Sequence, residues 1–222
     1  RCGRALAVES YEGIDINMMP FIIGELSSLP EEYQHYWPMI CQCPCLLSEG
    51  GSVGFVTIQE TVVEAGASQR RPRLHTDCPG LHFEHSDTEA AIHQTYAWGG
   101  GIFTTDGIHV SGGICMASTV TNSSRVWHAL LDDDVIGQLG DTEHLRSHLE
   151  DCSFDVPANE LVWITDRTPH ESLPLDDTQL RQYFRVVSSK VSVWHEDHST
   201  KNRLGVSPDP KVTKIVKGNK FA

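Results

Sequence analysis

No stretch of this 222-residue chain approaches the ~20 consecutive apolar residues that a membrane-spanning helix needs, so no membrane segment is expected. Positive charge is scarce. Seventeen Lys and Arg stand against thirty Asp and Glu, a formal net charge of −13 whose field repels a phosphate backbone and argues against general nucleic-acid binding. No internal repeat occurs at solenoid periods, and the run Gly99-Gly100-Gly101 lacks the spacing of a phosphate-binding loop, so it reads as a lid or turn. Apolar residues at 39% and charged residues at 21% are ordinary globular usage, and the length suits one domain with extensions.

The charge is unevenly placed. From Lys201 onward there are six basic residues and one acid, which leaves residues 1–200 at a net −18. A short basic tail behind an acidic body is expected to dock on that body or on an anionic partner. Seven cysteines are an odd number and do not spell a secreted disulfide framework, so a reducing, cytoplasmic setting is expected. Cys41-Gln-Cys43-Pro-Cys45 places thiols at every second position, which suits tetrahedral zinc poorly, and free thiols are the plainer reading. The start, Arg1-Cys2-Gly3-Arg4, has neither Met nor an apolar run, and reads as a trimmed or processed end.

Strand signals outnumber helix signals. Val53–Val63 is rich in β-branched and aromatic residues, and Arg73–Asp77, Gly113–Val120, Arg125–Leu131, Leu161–Thr165 and Arg181–Trp194 follow, separated by glycine and aspartate clusters. Leu29–Ile40 reads as a short helix with Glu31 and Glu32 in its first turn, limited by Pro38. Asp141 caps a second helix that runs toward Asp151. Many short strands with few helices imply a mainly β fold, a jelly roll or barrel, with a helical cap over residues 1–50, a core over 51–198 and a tail over 199–222.

Twelve histidines draw attention to metal chemistry. The triplet H-x-[D/E] occurs at His75-Thr-Asp77, His82-Phe-Glu84, His85-Ser-Asp87 and His195-Glu-Asp197 among others, so context must select. In a strand, residues i and i+2 face one way, and H-x-D at a strand rim offers an imidazole and a carboxylate to one ion. His75 and Asp77 follow the extended RRPRL and precede the turn at Cys78-Pro79-Gly80. A distal histidine, His170, follows Thr168-Pro169, which forces an extended entry. Two His and one carboxylate on one side of an ion leave other positions open, as in non-haem Fe(II) oxygenases. His82, Glu84, His85 and Asp87 form the alternative set.

Arg181, Tyr183 and Arg185 share one face of their strand. Two inward guanidiniums need anions, either bound ligands or nearby acids such as Asp166, Asp176 and Asp177. Trp98 and Trp127 are candidates for a pocket wall or for core. The pattern of H-x-D, a distal His in a turn and an Arg eleven positions later resembles the Fe(II)/2-oxoglutarate-dependent dioxygenase superfamily, over roughly residues 70–190. That resemblance implies a double-stranded β-helix, a jelly-roll or cupin-like fold, with a few flanking helices. It implies further that His75, Asp77 and His170 hold Fe(II), that Arg181 grips 2-oxoglutarate, and that Arg185, Tyr183, Trp98 and Trp127 face a small, anionic organic substrate to be oxidised with O2. Two competitors remain: a cupin-like metalloenzyme that does not use 2-oxoglutarate, and a non-catalytic β-sandwich that recruits a protein partner.

Overall fold

The fold is that of a computed structural model of the chain, which describes residues 11–78, 81–82, 94–95, 97–104 and 109–218. Its strands in chain order are β1 (Asp15–Ile22), β2 (Val53–Val63), β3 (Leu81–His82), β4 (Gln94–Thr95), β5 (Ile102–Thr104), β6 (His109–Ser111), β7 (Ile114–Ser118), β8 (Ser124–Trp127), β9 (Ser153–Asp155), β10 (Val162–Ile164), β11 (His170–Ser172), β12 (Gln179–Val187), β13 (Val193–His195) and β14 (Lys214–Val216). The larger sheet has the order β1-β2-β12-β7-β10 and the smaller one β11-β8-β9, with every neighbouring pair antiparallel. The chain is therefore mainly β.

Both faces of the larger sheet are covered, which is why burial along β2 and β12 is nearly continuous rather than alternating, polar residues included. On one face Ile58, Phe184 and Val186 pack with Tyr36, Met39 and Ile40 of the helical segment. On the other, Phe55, Met116, Tyr183 and Val187 meet Val126 and Val156 from the side of the smaller sheet. The two helical segments form where the sequence places them, but mostly as 3₁₀ turns. Glu31–Tyr36 is one such turn before α1 (Trp37–Ile40), and α2 (Arg146–Leu149) lies between two more. Pro38, in the first turn of α1, cannot donate back into the preceding turn, so the helix restarts there. Thr142 rather than Asp141 stands at the N-cap of the turn before α2 and makes no side-chain cap bond, while Asp141, one residue earlier, accepts from Glu143 N at 2.9 Å.

The expected helical cap also contributes strand β1. Ile16, Met18, Met19 and Phe21 are all buried, so the strand lacks a period of two and escapes detection from pattern. Between Ile16 and Met19 its pairing with β2 slips by one residue, placing Asn17 and Met18 opposite Thr57, a β-bulge in which Met18 has φ +48°. Arg73–Asp77 is not a full strand. Arg73 sits at φ +68°, and only His75 pairs, with His170 on one side and Asp141 on the other.

The basic tail rests on the chain's own body over its described part. β14 runs parallel to β13, Asn202 donates to the carbonyls of Pro20 and Ser28 at 2.8 Å, and Arg203 and Lys201 pair with Glu32 and Glu196. Cys41, Cys43, Cys78, Cys115 and Cys152 form no disulfide among the described residues. No helix among the described residues is long and apolar enough to cross a membrane.

Candidate functional site

His170 opens β11, and its backbone exchanges two hydrogen bonds with His75: His75 N donates to His170 O at 3.1 Å and His170 N to His75 O at 2.9 Å. Directly opposed residues of an antiparallel pair project to one face. The imidazoles consequently lie with ring centroids 4.5 Å apart. Each ring is oriented by its own chain: Nδ1 of His75 lies 2.7 Å from Arg73 O, and Nδ1 of His170 lies 2.9 Å from Thr168 O. A carbonyl can only accept, so Nδ1 carries the proton and Nε2 keeps a lone pair. Burial, then the neighbouring His170 and Arg71, holds His75 well below the ordinary imidazole value. His170 is lowered as well, again chiefly by burial. Both are neutral imidazoles at pH 7.

Thr76 turns away from this face. Its N–H donates to Gly140 O at 2.8 Å and its hydroxyl to Cys78 O at 2.8 Å, which leaves Asp77 on the side of His75. Asp77 Oδ2 lies 3.7 Å from His170 Nε2, beyond hydrogen-bond reach, and both its oxygens face Arg185 Nη1 at 3.2 and 3.4 Å. Two lone pairs thus confront each other with no proton between them. The donor set of two neutral imidazole nitrogens and a carboxylate fits a divalent transition-metal ion, and the carbonyls behind each Nδ1 are the outer partners that such ligands require. The spacing is open: among the described residues no three His, Cys, Asp or Glu side chains are already close enough to share an ion. To share an ion with His170, the Asp77 carboxylate would have to approach it more closely while Arg185 competes for the same oxygens.

Gly140 holds this segment from behind. A Cβ there would lie 2.1 Å from Thr76 O, and the residue has φ +80°. Gly140→Ala therefore must push the Thr76 peptide and carry His75 and Asp77 with it. We expect a loss of roughly 1–3 kcal/mol in urea unfolding and a weakened affinity for Co(II) measured by titration. Unchanged metal affinity would separate the loop from the site.

A cavity of about 370 Å³ opens in front of the histidines, and Arg70, Arg71 and Arg185 all contribute to its wall. Trp98, Tyr183 and Arg185, expected at a pocket, line it. Trp127 does not: it is 2% exposed, and the Arg146 guanidinium lies 5.6 Å from its ring, so it is core. Arg181 is wholly buried and is likewise set back from the wall. Its Nε, Nη1 and Nη2 donate to the hydroxyls of Ser118, Ser172 and Ser124 at 3.0, 3.1 and 3.0 Å. Ser124 and Ser172 reach the cavity, so they stand between it and the guanidinium. Burial pushes the Arg181 pKa down to about 10.

None of the acids suggested as neutralising partners, Asp166, Asp176 and Asp177, forms an ion pair with Arg181 or Arg185. Asp166 accepts from the backbone N–H groups of Trp98 and Gly100 at 2.8 and 3.0 Å, and no carboxylate among the described residues lies within 4.0 Å of Arg181. Arg185 has Asp77, but its buried Nε has no acceptor among the described residues. Of the alternative histidine set, Glu84, His85 and Asp87 lie outside the described residues, and only the backbone of His82 is described, in β3.

Several site residues were missed in the sequence. Arg70 and Arg71 had a visible signal, a basic pair in an acidic chain just before His75. Asn17, Gly140 and His198 had none, because they reach the site only through the bulge, the loop behind Thr76 and the docked tail. Comparison with protein-family models, curated proteins and solved structures finds no match to this chain, and the site is read from its own residues.

Proposed function

We propose that this chain is a non-haem iron oxygenase that couples decarboxylation of 2-oxoglutarate to oxidation of a small anionic organic substrate. The observation that carries the reading is the opposed pair His75 and His170, each with Nε2 freed by a carbonyl on Nδ1, beside the Asp77 carboxylate. The strand orders β1-β2-β12-β7-β10 and β11-β8-β9, with His75 bridged to the outer edge of β11, support a double-stranded β-helix. When bound, Fe(II) supplies the oxygen chemistry that no side chain here can perform. The chain holds and orients. His75, Asp77 and His170 would be the protein ligands, Arg185 pairs with the Asp77 carboxylate until an ion takes it, and the cationic wall draws an anion toward them.

Arg181 acts on a cosubstrate carboxylate through Ser124 and Ser172, its buried charge having no ion pair among the described residues. That same set-back position favours a second reading, a metalloenzyme that does not use 2-oxoglutarate. Succinate release from 2-oxoglutarate, measured with added Fe(II) under air, decides between them. Turnover that disappears in Arg181→Leu is the expected result. A chain that binds Fe(II) but neither binds 2-oxoglutarate nor forms succinate with any candidate substrate falls to the second reading.

A further inference from the structure

The same cavity has a second cationic feature that neither the ion nor the cosubstrate uses. Arg70, on the segment after β2, has its guanidinium carbon 5.4 Å from the centroid of the Tyr183 ring, and the guanidinium carbon of Arg181 lies at the same distance from that ring. Arg185 lies two residues further along β12 and also lines the cavity, and Asp77 is the only ion-pair partner of these three arginines among the described residues. Arg70 itself meets only neutral amides: Nη1 donates to Gln59 Oε1 at 2.9 Å and Nη2 to Asn17 Oδ1 at 3.5 Å. A guanidinium has five N–H donors, so three of its donors have no acceptor among the described residues.

Its surroundings are built rather than accidental. Asn17 sits in the β1 bulge, where the Thr57 hydroxyl donates to its Oδ1 at 3.3 Å and accepts from Met18 N at 3.0 Å. The tail clamps the same residue. Asn17 Nδ2 donates to His198 O at 2.7 Å, Asn17 N to Thr200 Oγ1 at 3.0 Å, and Thr200 N to Asn17 O at 2.7 Å. His198 is thereby placed on the cavity wall with Asn17 and Arg70. A strained bulge and a docked tail converge on one arginine whose guanidinium makes no direct ion pair among the described residues. Strain held at a cavity by surrounding structure is a mark of a working site.

We propose that the part of the cavity formed by Arg70, Asn17, Tyr183 and His198 is a carboxylate subsite for the substrate that is oxidised, and that Arg70 selects carboxylic acids over neutral compounds of the same length. The assignment to the oxidised substrate rests on the oxygenase reading; the carboxylate subsite itself does not. Arg70 binds the anion through its fork, the amides of Asn17 and Gln59 fix the fork without neutralising it, and the Tyr183 face supports the cation from beneath.

The test uses the full chain loaded with Mn(II) and saturated with 2-oxoglutarate, titrated calorimetrically with hexanoate and, as neutral control, hexan-1-ol. Hexanoate is expected to bind, and Arg70→Gln to weaken it by about tenfold or more, about 1.4 kcal/mol. Hexan-1-ol should bind weakly and equally to both proteins. Equal hexanoate affinity in Arg70→Gln, or no hexanoate binding by the parent chain, overturns the proposal. If Arg70→Gln does not fold, Arg70→Lys serves to assign the Arg70 Nε–H resonance in the labelled parent chain, which hexanoate must shift; a resonance that does not move is equally fatal. Should 2-oxoglutarate fail to bind, the oxygenase reading is lost, and the same titration without it still decides whether Arg70 holds a carboxylate.

Discussion

His75→Ala is expected to abolish stoichiometric binding of Fe(II) or Co(II) and to reduce succinate formation by well over a hundredfold, while the far-UV spectrum of the chain is retained. The magnitude follows from rank. Partners that only orient a ligand are worth about 10- to 100-fold in affinity or activity, and a direct ligand must exceed them. His75 meets the requirement for a ligand because its Nδ1 is committed to Arg73 O and its Nε2 has no proton to give. The backbone pairing with His170 does not depend on the side chain, so the segment should stay in place. Metal analysis of the purified variant, with thermal unfolding as the folding control, checks the expectation. Retention of one tightly held ion per chain would move the centre elsewhere.

The largest expected effect on stability lies on the opposite face of the larger sheet. Glu60, on β2, is 1% exposed and receives Tyr36 Oη at 2.6 Å, Gln182 Nε2 at 3.1 Å and the backbone N–H groups of Glu12 and Ile14 at 2.7 and 3.2 Å. These four donors fasten the helical segment and the approach to β1 onto β2 and β12. Glu60→Ala leaves the buried donors of Tyr36, Gln182 and Ile14 without their acceptor, and a loss of about 3 kcal/mol or more is expected in urea unfolding.

The same carboxylate sets a pH dependence. Burial alone would raise its pKa, but the hydrogen bonds from Tyr36, Glu12, Ile14 and Gln182 together outweigh burial and hold it below the ordinary glutamate value of 4.5. A depressed folded-state value means that the contribution is complete above pH 4.5 and lost as pH falls through the lower, folded value. Tyr36 behaves in the opposite sense. Burial and the adjacent Glu60 raise it far above 10, so its contribution is complete below pH 10 and declines above. The difference in stability between the parent chain and Glu60→Gln should therefore narrow on acidification below about pH 4, and a difference independent of pH would show that Glu60 is not held as the anion.

Much of the sheet was legible from residue type. Val53–Val63 appears as β2 with the expected bounds, Gly113–Val120 and Leu161–Thr165 contain β7 and β10, and the long stretch Arg181–Trp194 overlaps two separate strands, β12 and β13, because β-branched runs between glycines and prolines have few other stable arrangements. Strand β1 was hidden by burial on both faces. The rim around His75 was overstated, since positive φ at Arg73 breaks the extended run before it can pair. Trp127 shows the limit of composition: an aromatic beside a pocket and an aromatic in a core have the same letter, and only the position of Arg146 over its ring tells them apart.

The sequence by itself determined the chemical types at the site and their local geometry: an imidazole and a carboxylate at i and i+2, a second imidazole after a proline, and two guanidiniums on one strand face. Those follow from backbone periodicity, which is a local property. Only the tertiary structure decided which distant groups meet. Pairing of His75 with His170, withdrawal of Arg181 behind two serines, and convergence of Arg70, Asn17 and the tail on one cavity wall depend on sheet order and a single bulge. Strand pairing joins residues without regard to their separation along the chain, so no reading of neighbours can reach it.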